Sequence, residues 1–332
     1  MLTSRFLVAL GAFAITGWTQ PSAGVAGPVT GFVFGAPSGA IRPMLGIPGA
    51  AYLGGAVATG LEAASIAPDG SAALAVQQAG KLVLYSGLRS APLPVALSVA
   101  GGISGADHFA WAADGSGAAV YASASGQAQV LTGFAKSPVG AAPIDLSGLP
   151  GQLAALAFDG QYLIAGVSGD SGGIFLAAAS AGVQRIATTA SPSAIALAGS
   201  SLYFADNQAQ QIWQVRNYAT APAAMLFAND SGINSPVGLQ VSADGQRLFV
   251  ANAGNQKLAV YDIASGAVVQ TIGLAFTPTR LDRFGDASVF LLNSSGQAPL
   301  YVVRDGPAGQ AAVFFVPAQL QKRPLKSPIR RM

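Results

Sequence analysis

Cysteine is absent from all 332 residues, which excludes a disulfide framework, a thiolate nucleophile and a Cys-ligated metal. Charge is scarce as well. Asp, Glu, Lys and Arg make up 9% of the chain, against roughly 25% in ordinary soluble domains. His108 and Glu62 are the single representatives of their types, so a zinc site built from several His, Cys or carboxylate ligands is poorly supplied. Hydrophobic residues reach 51%, yet no uninterrupted apolar run of about 18 residues follows the N-terminal segment. A multispan membrane protein is thereby excluded. No P-loop or dinucleotide-type glycine motif follows a strand and opens a helix, so neither a nucleotide cofactor nor a nucleic-acid partner is expected.

The first residues have the three-part order of an export signal. Arg5 gives a positive start, Phe6 to Ile15 a short apolar stretch, and Gly24-Val25-Ala26 a small-x-small cleavage site. Residues 1–26 are therefore expected to be a signal peptide, with the mature chain secreted or periplasmic; a buried first strand is the alternative for the same residues. At the other end, residues 318–332 hold five of the 17 Lys and Arg and no acid, and read as a basic disordered tail. Without that tail, 12 basic residues face 14 acidic ones, a net of −2. The body between, residues 27–317, is expected to be one domain and a monomer.

What that body contains is a hairpin written repeatedly. Tight Asp-Gly turns flanked by apolar residues occur at Asp69-Gly70, Asp114-Gly115, Asp159-Gly160 and Asp244-Gly245. Weaker versions at Gly199-Ser200 and Gly285-Asp286 complete a comb with a period of about 40–45 residues, the spacing of a four-stranded propeller blade. In a two-residue Asp-Gly turn both residues would carry positive φ. Each period then reads as an inner pair around the Asp-Gly turn and an outer pair, such as Leu258–Tyr261 with Val268–Ile272. The segment Val33–Ile41 matches Val260–Val268 in pattern, and so reads as one more outer hairpin, followed by a Gly-Pro-rich linker from Gly46 to Gly60. The expected fold is an all-β propeller of six full four-stranded blades plus an N-terminal closing hairpin beside the last repeat at Leu300–Phe315. Seven blades result if the hairpin recruits inner strands.

Residues 236–273, PVGLQVSADGQRLFVANAGNQKLAVYDIASGAVVQTIG, resemble the YVTN-type β-propeller repeat of surface-layer-like proteins. The pattern is partial around 63–85 and fades elsewhere to Ala205-Asp206-Asn207 and Leu292-Asn293. No Trp-Asp blade endings occur, unlike the WD40 group. The resemblance implies a propeller and leaves function open, since such folds serve as enzymes, binders and scaffolds. An exported, non-catalytic propeller binding a protein or cell-surface polymer is the first expectation. The second is a hydrolase like the lactonase or gluconolactonase propellers, which hold a divalent cation in the central channel with Glu, Asn and Asp. Its ligands here would be Glu62, Asp206, Asn207, Asn252 and Asn293, with calcium or another hard cation as the ion; otherwise no cofactor is expected. The same amides also suit strand ends and Asx turns.

Two other features have bland readings that outweigh sharper ones. Gly169-Asp170-Ser171-Gly172-Gly173 reproduces the nucleophile motif of chymotrypsin-like proteases, with His108 upstream and Asp145 and Asp159 between. However, the pentad falls where a turn is due, and His108 opens a strand one repeat away. The aromatics Phe109, Trp111, Tyr121, Tyr203, Phe204, Trp213, Phe249 and Tyr261 alternate along strands, as packing between blades requires; a sugar-stacking platform is the alternative.

Overall fold

The computed structural model describes residues 27–317 apart from 91–93, 180, 287, 295, 297–298 and 307–308. The expected signal peptide and basic tail lie outside the described residues. Seven antiparallel sheets follow one another along the chain, and they are the blades of a β-propeller. Blade I holds β1 (Val29–Gly35), β2 (Ala40–Ile47) and β3 (Ala50–Leu53). Blade II holds β4 (Leu61–Ile66), β5 (Ala72–Gln77), β6 (Lys81–Ser86) and β7 (Val95–Ser98). Blade III runs through β8 (His108–Trp111), β9 (Ala118–Ala122) and β10 (Gln127–Thr132), whose outer edge pairs with two short pieces, β11 (Val139–Gly140) and β12 (Ile144–Asp145). Blade IV comprises β13 (Gln152–Phe158), β14 (Leu163–Ser168), β15 (Gly173–Ala178) and β16 (Gly182–Thr188). Blade V comprises β17 (Pro192–Ala198), β18 (Ser201–Asp206), β19 (Gln211–Arg216) and β20 (Ala223–Ala228). Blade VI has β21 (Pro236–Val241), β22 (Arg247–Asn252), β23 (Lys257–Asp262) and β24 (Val268–Gly273). Blade VII has β25 (Asp282–Arg283), β26 (Val289–Leu291), β27 (Leu300–Asp305) and β28 (Ala311–Val316).

The repeated turns sit where the comb placed them, between the first and second strands of blades II to VII. Their backbone differs from the two-residue form. Gly70, Gly115 and Gly245 have φ of 71°, 71° and 72°, whereas the preceding Asp residues are not in the left-handed region. The Gly70 N–H donates to Ala67 O at 2.8 Å, which closes a type I turn, and Ala67 N–H donates to Ala72 O at 2.9 Å beyond it. The carboxylate holds the corner: Asp69 Oδ1 accepts the Ser71 N–H at 2.9 Å, as Asp114 does from Ser116 and Asp244 from Gln246. Asp is thus favoured as an acceptor, and only Gly for its φ.

The hydrophobic core lies between blades rather than within any one of them. Strand faces rich in Leu, Val, Ile and Ala from adjacent blades interdigitate: Leu163 and Ala165 of blade IV pack with Ala119 and Ala128 of blade III, and Leu248 and Val250 of blade VI with Tyr203 and Ala205 of blade V. Small residues let the sheets approach, and each fully buried Leu, Val or Ile contributes about 1.5–3 kcal/mol. The aromatics follow suit where they lie on second and third strands. Tyr203, Phe204, Phe249 and Tyr261 are fully buried there.

Blade I departs from the expectation of a lone closing hairpin. It is a sheet of its own, because Ala50–Leu53 in the expected linker forms a third strand. It lies beside the last repeat, as expected, with Val33, Met44 and Ala51 against Leu300, Val302 and Val316. On its other side Phe32 and Ile41 pack on Leu61 and Ala73 of blade II. The count is therefore seven blades, the larger of the two counts the sequence allowed, reached through an outer strand rather than an inner one. Its strands also run out of step with the chain. Thr30, at the start of β1, adjoins Gly285, past the end of β25, and Leu61 N–H donates to Gly39 O, bringing the β1–β2 turn to the start of β4. β1 is thus antiparallel to the first strands of its neighbours and corresponds to the second strand of a blade. The pattern match with Val260–Val268, a third-to-fourth strand turn, was off by one strand. A four-residue turn with Gly or Gln in the left-handed region recurs at several corners, so turn chemistry cannot distinguish them.

Candidate functional site: the axial cavity

The first strands of blades II to VII stand nearest the axis, and β1 takes that place in blade I. They enclose a cavity of about 270 Å³ beside the Asp-Gly turns. Polar surface exceeds apolar on its wall, and the apolar side chains Phe34, Ile66, Phe109, Trp111, Leu156 and Ile195 come from five successive blades. Trp111 Nε1 donates to Ser65 Oγ at 3.1 Å, which fixes the indole against blade II. Phe109 and Trp111 are half-buried here, so these two aromatics face the axis as well as a blade interface.

The charged side chains of the wall are contributed by blade VII, with Gln240 of blade VI beside them. Gln240 donates to Leu281 O at 3.1 Å, and Arg280 forms an ion pair with Asp282. Arg283 donates to Val241 O at 2.8 Å, with its guanidinium 5.9 Å from the Phe290 ring centroid. Burial pushes its pKa below the ordinary arginine range. The sequence reading missed this sector. Its residues lie on a first strand only two residues long, in a Thr-Pro-Thr-Arg-Leu-Asp-Arg-Phe stretch with no clear period.

The residues proposed from sequence sit on the opposite face, and Asp206, Asn252 and Asn293 have side chains bonded locally. Glu62 is exposed on β4. Asp206, at the end of β18, accepts from Thr189 Oγ1 at 2.7 Å and from the Gln208 and Ala209 N–H groups at 3.0 Å. Asn207 follows it, its N–H donating to Ser191 O at 2.8 Å, while its buried Oδ1 has no partner. Asn252, fully buried, accepts the Asn234 N–H at 3.0 Å and donates to Val250 O at 3.2 Å. Asn293 accepts from Tyr301 N–H at 2.8 Å and donates to Pro299 O at 2.9 Å. Asp206 and Asn252 occupy the same register position in successive blades and tie down the linker that enters their own blade. Among the described residues, no three His, Cys, Asp or Glu side chains gather. His108 Nδ1 lies 2.9 Å from Asp107 Oδ1 in blade III, whereas Ser171 sits in the β14–β15 turn of blade IV, closed by Gly172 N–H to Gly169 O at 2.9 Å.

The turn carboxylates also set an acid limit. Hydrogen bonds from Ser116, Ser147 and Ser265 hold the pKa values of Asp114, Asp145 and Asp262 below the ordinary 3.8, and Ser242 and Ser288 do the same for Asp244 and Asp286. A folded-state pKa below the unfolded one gives stability that is present above the unfolded value and lost as pH falls through the folded one. Asp305 is displaced upward, since burial outweighs the pull of Arg247, and acts in the opposite sense, while Asp107 is lowered like the five. Thermal melts followed by circular dichroism should give a flat Tm from pH 7 to about 5 and a fall below about pH 4. A Tm that holds to pH 3 would contradict this account of the turns.

No protein-family model matches the chain, and no curated protein matches it in sequence. Solved structures do match in fold. A putative 6-phosphogluconolactonase from Bacteroides fragilis NCTC 9343 is 14% identical, with 90% of this chain and 98% of that chain covered and a TM-score of 0.59. A functionally unknown protein from Desulfotomaculum acetoxidans DSM 771 is 14% identical over 87% of this chain and 100% of that one, with a TM-score of 0.60. The hydrazine synthase of Kuenenia stuttgartiensis is 11% identical, with 92% and 100% covered and a TM-score of 0.54. At such identities the likeness is one of fold, and the YVTN resemblance rests on the residues quoted for it. No helix among the described residues is long and apolar enough to cross a membrane.

Proposed function

We propose that the chain is an exported propeller that binds rather than catalyses, a scaffold for a protein or a cell-surface polymer, with its axial cavity as a binding site. One observation carries this reading: the use made of its carboxylates. Asp69, Asp114, Asp145, Asp159, Asp206, Asp230, Asp244, Asp262 and Asp286 each accept a backbone N–H two or three residues on. Asp107 accepts from Ser123, and Asp282 and Asp305 pair with arginines. Twelve of the 14 carboxylates, able in principle to act as general acid, base or ion ligand, are thus committed to architecture; Glu62 and Asp170 are not among them. Export rests on the order of residues 1–26.

The competing lactonase-like hydrolase would need a cation near Glu62 or the amides of the opposite face. Calorimetric titration of the mature chain with calcium should give no heat and no shift in Tm, and gluconolactone should open no faster than in buffer. Saturable heat together with calcium-dependent lactone opening would replace the scaffold reading with the hydrolase.

A further inference from the structure

We propose that the axial edge of β1 is a docking edge for the chain's own C-terminal residues 324–332, which complete blade I as its innermost strand. Three observations carry it. The first is sheet order. Blades II to VII each open with a first strand bonded to their second, whereas blade I runs β1-β2-β3 and opens with the equivalent of a second strand. Among the described residues, no strand lies along the axial edge of β1. The second is the backbone of that edge. Pro43, opposite Phe32, has no N–H, and its O accepts from Gly54 N at 2.8 Å on the side of β3. Phe32 and Pro43 are therefore a non-hydrogen-bonded pair, and Phe32 turns its N–H and C=O toward the axis. Phe32 is 2% exposed, and buried backbone groups are almost always paired, so this edge calls for an extended neighbour.

The third is the path of the chain. β27 ends at Asp305, whose N–H donates to Ser288 O at 2.7 Å beside the Gly285-Asp286 turn. Val316, the last residue of β28, pairs with Leu300 at the other end of β27, and so leaves on the face opposite the Asp-Gly turns. First strands start on that face, since each ends at such a turn. Val316 also packs with Val33, Met44 and Ala51 of blade I, the blade that follows in the ring. Elsewhere the joint from a last strand to the next first strand takes between three residues (189–191) and nine (99–107). Residues 317–323 supply seven before Pro324. β17 and β21 open on Pro192 and Pro236, and the first position of a strand suits a residue without an N–H. The segment holds two prolines able to open it, and Ser327-Pro328 repeats the pairs Ser191-Pro192 and Ser235-Pro236.

Amide hydrogen exchange on the full chain, read by mass spectrometry, tests the proposal. The amides within 325–331 that pair with β1 should exchange about 100-fold or more slowly than in the same free peptide, while 317–322 keep the rates of the peptide. Ile329→Asp should lower the Tm by about 5 °C, and Lys322→Asp, in the joint, should leave it unchanged. Free-peptide rates throughout 317–332, or equal Tm values for the two variants, would overturn the proposal and leave the edge to a strand from a partner. Protection among the residues before Gly27 in place of 324–332 would give the edge to the other end of the chain and overturn it equally.

Discussion

Gly285→Ala should destabilise the protein by about 3–4 kcal/mol, whereas Gly245→Ala, at the equivalent turn one blade earlier, should cost only about 1 kcal/mol. Both glycines have left-handed φ, 70° and 72°, so the backbone strain of an alanine is the same at each. Their surroundings differ. A Cβ at Gly245 meets nothing within 4 Å, while one at Gly285 would overlap the Thr30 carbonyl oxygen and come 2.6 Å from Arg89 Nη2 and 3.0 Å from Gly31 Cα. Backbone on the far side cannot yield cheaply, because Arg89 donates to Gly285 O at 2.6 Å and to Thr30 O at 3.3 Å. Arg89 belongs to blade II, Gly285 to blade VII and Thr30 to blade I, so the overlap falls where the ring joins. Equal losses in urea unfolding at the two positions would refute this picture of the junction.

The second large effect is expected at Arg247. Its guanidinium grips Asp305 with two bonds, Nη1 to Oδ1 at 2.6 Å and Nη2 to Oδ2 at 2.9 Å, across the interface of blades VI and VII. The side chains are only 15% and 6% exposed, so solvent screens the pair weakly. Arg247→Ala strands a carboxylate that burial already disfavours, and should cost roughly 2–3 kcal/mol. Arg247→Ala combined with Asp305→Ala should cost clearly less than the sum of the single changes, since the second removes the stranded charge. Additive losses in that cycle would mean that the two side chains act independently.

Much of the architecture could be read before any coordinates. The Asp-Gly comb placed the turn between the first and second strands in six blades, because Gly at left-handed φ and Asp as a local acceptor are residue-level demands. Blade I was harder. Its third strand, Ala50–Leu53, is four residues inside a run of Gly and Pro, and its identity as a strand comes from pairing with Met44–Ile47 rather than from its own propensity. The candidate site was legible only in part. Phe109 and Trp111 stood out as alternating aromatics, but nothing in a linear pattern says that a first strand faces an axis. Arg280, Asp282 and Arg283 were invisible, since β25 is defined by two residues and the meaning of its charges depends on six other blades. The residues on the opposite face were conspicuous for a different reason: Asp206 and Asn252 recur at one corner of successive blades, as the residues of a repeat do.

The junction of blades I and VII has a consequence for how the molecule comes apart. A linear repeat array frays from its terminal modules, each of which has a neighbour on one side only. Here Val33 and Met44 of the first blade are buried against Phe284 and Val302 of the last, and Phe32 against the second. No blade is terminal. Releasing any one of them exposes two faces at once while the other six remain strained around a gap, so half-open rings are poor stopping points. The folded chain is protected by the rarity of that first opening, which makes its resistance to heat and proteases a matter of rate as much as of equilibrium.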